Sequence, residues 1–197
     1  MALAALACAS VCRAEPPPAA ASPGLRLVAA ARAQIGVTIR YDSTYRRMDY
    51  PNGDVPVSEG VCTDVIIRAL REQGIDLQRA VHQDMAAHFS AYPKKWALRR
   101  PDKNIDHRRV PNLMTYFQRR GHELPIARDA TSYAAGDVVT WHVGYGLVHI
   151  GLVSDRASAQ GTPLIIHNMG LGTVEEDILF TYDITGHYRV LGAPMVP

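Results

Sequence analysis

The chain changes texture at Gly136-Asp137, and that change restricts the fold more than any other feature. Before it, apolar residues recur at helical spacing. Leu25, Val28, Ala31 and Ile35 share one face and Gly36 closes the run. In "VCTDVIIRALREQGIDL", Val61, Val65, Ala69 and Leu70 do the same, with Gly74 as the stop. Asp76 to Tyr92 and Val110 to Arg120 are two further predicted helices. After Gly136-Asp137 come short runs rich in Val, Ile and aromatics: "VVTW", "LVHIGLVS", "PLIIHN" and "YRVLGA". Gly144-Tyr145-Gly146 reads as a hairpin turn between the first two. Helices first and antiparallel strands later imply α+β rather than alternating α/β. Between the first two helices, "RYDSTYRRMDYPNGDVPVSEG" is polar and turn-rich.

At 197 residues, 47% hydrophobic and 20% charged, residues 25–197 suit one domain with a sizeable core. The net charge of +2 gives no global signal for nucleic acid. "MALAALACASVCRA", residues 1–14, reads as an export signal cut after Ala14, although it lacks a basic start. Residues 15–24 form a Pro/Ala linker. The apolar run falls short of the roughly 20 residues of a membrane span. "ALAC" around Cys8 faintly resembles a lipoprotein attachment site. The expected location is periplasmic or extracellular. Loss of the signal removes Cys8 and Cys12 and leaves Cys62 alone. A lone thiol in an exported protein has no disulfide partner and is a candidate reactive group.

Cys62 opens a predicted helix, where the helix dipole favours thiolate and free N–H groups can face an oxyanion. Thr63 and Asp64 make that first turn polar, unlike a cysteine that merely fills a core. His149 lies in an alternating strand and shares its face with Gly151, which leaves space beside the imidazole. His142 sits at a turn and reads as a rim residue. "PLIIHN" ends in His167-Asn168, either of which would suit the Nδ1 proton of a catalytic imidazole, though not both from one face.

The order Cys62, His149, His167 resembles the NlpC-type cell-wall cysteine peptidases, which have a papain-like fold. The resemblance rests on Val61-Cys62-Thr63-Asp64, Gly136-Asp137, His149-Ile150-Gly151 and Ile165-Ile166-His167. "YPNGDVPVSEGVCTDVIIRAL" and "NIDHRRVPNL" are more closely similar to a bacterial family known as domain of unknown function 1287, and that likeness runs from Leu25 to the C-terminus. Val61-Cys62-Thr63 stands where the superfamily usually has Asp-Cys-Ser, and its upstream Tyr-Xaa-Trp-Gly-Gly is absent.

The resemblance implies a secreted amidase or endopeptidase with Cys62 as nucleophile, His149 as base and His167 as orienter. The substrate would be a peptidoglycan stem peptide or muropeptide, cut at a bond involving D-glutamate. Tyr41 or Tyr50 would assist binding, with Asp64, His142 and Asn168 also near substrate or oxyanion. No cofactor, metal or nucleic acid is expected, and a monomer suffices. Arg40, Arg46 and Arg47 are candidates for a substrate carboxylate. The basic stretch Pro93 to Arg109 suits a solvated face, or contact with an anionic polymer or membrane surface. Competing readings are a non-catalytic wall- or glycan-binding module and an acyltransferase with the same triad. A zinc hydrolase built on His142, His149, His167 and His187 has no supporting ligand motif.

Overall fold

A computed structural model describes residues 21–192; the predicted export signal lies outside the described residues, as does most of the linker. The helices are α1 (Pro23–Arg32), α2 (Cys62–Arg71), α3 (Leu77–His88) and α4 (Val110–Arg119). A short parallel pair, β1 (Arg40–Tyr41) and β2 (Glu59–Gly60), closes the loop between α1 and α2. The main sheet contains β3 (Val138–His142), β4 (Val148–Ala157), β5 (Pro163–Asn168), β6 (Thr173–Glu176) and β7 (Asp183–Tyr188). Its order is β6-β5-β4-β3-β7, and every neighbouring pair is antiparallel. The architecture is therefore α+β, with helices on one face of an antiparallel sheet.

Several boundaries differ from expectation. The predicted linker does not run to residue 24: Ser22 caps α1, its Oγ accepting from the Leu25 N–H, and Pro23 occupies the first turn. The helix expected over Asp76 to Tyr92 ends at His88 and tightens into a 3₁₀ turn, Phe89–Ala91. "YRVLGA" is not a strand; β7 ends at its first residue, Tyr188. Strand β6 went unpredicted because "TVEE" lacks an apolar run; it is an edge strand on β5.

Helix α2 is the central element. Eight of its ten residues are buried, including Val65, Ile66, Ile67 and Leu70. Each such apolar side chain contributes roughly 1.5–3 kcal/mol. They pack with Ile150, Leu152 and Ile166 from the helix-facing side of β4 and β5. The opposite face carries a second core of Val139, Trp141, Val153, Ile165, Tyr133 and Leu179. Alternation along β4 places His149 and Gly151 on this second face. A Cβ on Gly151 would stand 2.5 Å from Ile165 Cγ2 and 3.2 Å from His167 Cβ, so glycine is what lets β4 and β5 lie this close.

Candidate active site around Cys62

Cys62 is the first residue of α2, and only 5% of it is exposed. The helix starts there because Val61 is extended and the Asp64 carboxylate accepts the Val61 N–H at 2.7 Å. The backbone N–H groups of Ile150 and Thr63 and the Tyr41 hydroxyl lie near the sulfur and favour its charged form. The thiol therefore reaches the sheet at the residue that follows His149. A pocket of about 200 Å³ opens beside it, lined by Tyr41, Ser43, Trp96, Arg108, Arg109 and Val148 among others.

The helix dipole was expected to depress the thiol pKa. Burial outweighs it: the thiol is pushed up to about 11, with the Asp64 charge adding to the rise against the pull of the Ile150 N–H. Burial and the neighbouring sulfur also raise Tyr41, which stays a neutral donor.

His149 is buried in the second core, its ring 5.9 Å from that of Trp141. Its Nε2 lies 3.0 Å from Nδ1 of His167, and the rings meet edge to face. The orienting contact thus uses Nε2 of His149, not the Nδ1 expected from the sequence. Burial, and then the proximity of His167, push His149 down to about 3, so it rests as a neutral imidazole. His167 is lowered by burial as well, against an opposing pull from Glu176. Glu176 Oε2 lies 3.4 Å from His167 Nε2, outside hydrogen-bond alignment. Glu176 was missed because nothing in "TVEE" marks one acid as facing an imidazole.

Other expected site residues have different roles here. Asp64 is no substrate ligand: its carboxylate is buried and consumed by the Val61 N–H, Arg108 Nε at 3.0 Å and Arg108 Nη2 at 2.8 Å. Asn168 faces away from His149; its Nδ2 donates to the Gly60 carbonyl at 3.1 Å and its Oδ1 accepts the Gly170 N–H. It ties the end of β5 to the segment before Cys62. Tyr50 is not at the thiol, since it packs edge-on against His82 with Lys103 above its ring. His142 is exposed at the end of β3 and does not line the Cys62 pocket. Arg40 and Arg46 are already paired, with Glu59 and with Asp42 and Glu59.

The basic stretch Pro93 to Arg109 is not one solvated face. Arg108 is buried on Asp64, and Arg109 lies over the Trp96 ring while pairing with Asp106. Of the four histidines weighed for zinc, His149 and His167 meet, while His142 and His187 lie elsewhere. His187 bonds the Asp137 carboxylate and the Pro125 carbonyl, and Arg189 completes that anchor at the start of β3. Among the described residues, no group of three or more His, Cys, Asp or Glu is arranged to hold a metal ion.

The family described as "Domain of unknown function (DUF1287)" matches residues 28–190. The chain belongs to that family. It is 54% identical over 169 residues to the uncharacterized protein YijF of Escherichia coli (strain K12), covering 86% of this chain and 82% of that protein. Two solved structures are also similar: NlpC1 and NlpC2 from Trichomonas vaginalis, at 13% and 14% identity. Their TM-scores are 0.47 and 0.45, over 88% and 86% of this chain. The matched region spans 46% of each of those chains, a little under half their length.

Proposed function

We propose that this DUF1287 protein is an exported cysteine hydrolase that cleaves amide bonds in peptidoglycan stem peptides through a thioester. Its chief support is a helix-opening thiol beside a pocket, with the Tyr41 hydroxyl and the Ile150 and Thr63 N–H groups near the sulfur; His149 lies on the opposite face of β4, in the second core, where it meets His167. In the resting site the thiol and His149 are both neutral. The proton therefore leaves the thiol as attack begins, in the manner of a serine hydrolase. The Cys62 sulfur bonds the scissile carbonyl carbon, and its proton passes to the departing amide nitrogen. The Cys62 backbone N–H and the Tyr41 hydroxyl stabilise the oxyanion. The C–N bond breaks and the amine leaves with that proton. Water then attacks the thioester, releasing the acid and returning a proton to the sulfur. His167 holds the ring of His149 on the far face of the sheet, bracing β4 and β5 behind the thiol. The wall-peptide substrate, and the exported location that gives access to it, follow from the sequence resemblance.

The buried, high-pKa thiol is the observation that favours a non-catalytic wall-binding module instead. Digestion of purified sacculi by wild type and Cys62→Ala, with mass analysis of the fragments, separates the two. New fragments from wild type alone are expected; identical products from both would sink the hydrolase. A fragment carrying an added amine would indicate acyl transfer. Because His149 faces away from Cys62, His149→Ala should change turnover by no more than a few-fold; a loss of about 10²- to 10⁴-fold, the usual worth of an acid–base group, would return it to the thiol. His142→Ala should change neither kcat nor KM, because His142 is exposed at the end of β3 and does not line the Cys62 pocket; a clear change in either would place it at the substrate.

A further inference from the structure

A second concavity lies apart from the thiol pocket. It is a groove of about 970 Å³, walled by Tyr45, Arg47 and Met48, by His82 and by Ala97 to Asn104. Four cations line it: Arg47, Arg99, Arg100 and Lys103. All four are exposed, and none has a carboxylate of the described residues within ion-pair distance, whereas most buried or half-buried arginines described are paired. The one acid in the wall is Asp102, which takes the Tyr45 hydroxyl and the Asn104 N–H. The groove is a built feature. Gln78 donates to the carbonyls of both Asp49 and Lys103, and the Asn104 side chain accepts the Met48 N–H. Lys103 is further held over the Tyr50 ring.

We propose that this groove binds a linear polyanion, a polymer chain bearing repeated carboxylates or phosphates. A single small anion would leave most of the volume and of the charge unused; a chain with repeated charges engages all four cations. Concavity argues against a flat membrane surface, which cannot reach cations on several walls at once. The same segment joins groove and thiol: Trp96 and Ile105 line the Cys62 pocket, and Ala97 to Asn104 between them line the groove. A polymer seated there runs toward Cys62. On the hydrolase reading, the groove holds the polymeric substrate. Binding itself does not depend on that reading.

The test is fluorescence titration of labelled poly-L-glutamate and of polyphosphate with the full chain carrying Cys62→Ala, which separates binding from turnover. Four contacts predict an affinity loss of about 50-fold between about 50 and about 200 mM salt, by analogy with single-stranded nucleic acid. Combined Arg47→Glu, Arg99→Glu, Arg100→Glu and Lys103→Glu should reduce affinity to roughly a tenth or less and flatten the salt slope. All four side chains are exposed, so folding should survive, as circular dichroism will show. The pair Arg99→Glu and Arg100→Glu should weaken binding more than Arg120→Glu and Arg128→Glu, which change net charge equally outside the groove. Equal loss from both pairs overturns the site in favour of net charge alone. Unchanged binding by the fourfold variant also overturns it, as does binding to phosphatidylglycerol vesicles without binding to either soluble polymer.

Discussion

Replacing Asp64 by Ala removes one carboxylate that serves two structures at once. It accepts the Val61 N–H at the start of α2 and both donors of one edge of Arg108, and neither Asp64 nor Arg108 is more than 6% exposed. Without Asp64, the guanidinium keeps only the Asp42 carbonyl, at 3.3 Å. Breaking a buried pair from one side costs about 3–5 kcal/mol, because the remaining charge stays buried. For a chain of this size that corresponds to a fall in Tm of about 6–20 °C. Urea denaturation should show a lower midpoint with an unchanged slope. The double variant Asp64→Leu with Arg108→Met removes both charges at similar volume and should regain most of the loss, leaving about 1 kcal/mol for the missing cap. Cys62 supplies an independent readout. The Asp64 charge raises its pKa, so removing that charge should speed thiol alkylation in the folded variant. A stable Asp64→Ala protein with a raised KM would refute the structural role and return Asp64 to the substrate site.

With its thiol held at about 11, Cys62 should react with iodoacetamide at a rate that climbs tenfold per pH unit through pH 9, with no plateau near neutrality; a plateau below pH 8 would mean a preformed thiolate. Buried His107, lowered to about 4, is neutral when folded but protonates near 6.5 when unfolded. The unfolded state therefore binds the extra proton, and stability falls as pH drops from about 6.5 to 4, by ~3 kcal/mol. His107 Nδ1 has no partner, so His107→Leu should cost little at pH 7 and flatten that acid limb in denaturation curves. Gly151→Ala forces a methyl against Ile165 and the base of His167; it should cost about 1–3 kcal/mol and lower kcat more than it raises KM, and a neutral effect on both would show that β4 and β5 tolerate separation.

Periodicity carries far in this chain because each α2 residue and each β4 residue has a strongly defined side. Val65, Leu70, Ile150 and Leu152 were legible as core from spacing alone, and the same alternation set His149 and Gly151 together on the other face. Boundaries were legible wherever a glycine with positive φ closes an element, as at Gly74, Gly121 and the Gly144-Tyr145-Gly146 turn. The edge strands were not: β6 buries little surface, and the buried half of β7, Gly186-His187-Tyr188, carries no run of aliphatic residues to mark it. Within the site, the sequence could nominate Cys62, His149 and His167, since residue type and position at an element's end or face are local properties.

What each polar group faces is not local, and only the tertiary structure decided it. His167 rather than Asn168 meets His149 because β4 and β5 pair in a register that turns Asn168 toward Gly60. Asp64 and Arg108 are 44 residues apart and neutralise each other inside the protein, although one looked like a site residue and the other like a surface charge. The pKa of Cys62 reversed its expected direction for the same reason: a helix N-terminus is written in the sequence, but the burial that outweighs it comes from Tyr41 and β4 closing over the thiol. Chain order supplies the chemical groups; packing sets their charge, because desolvation depends on which distant atoms exclude the water.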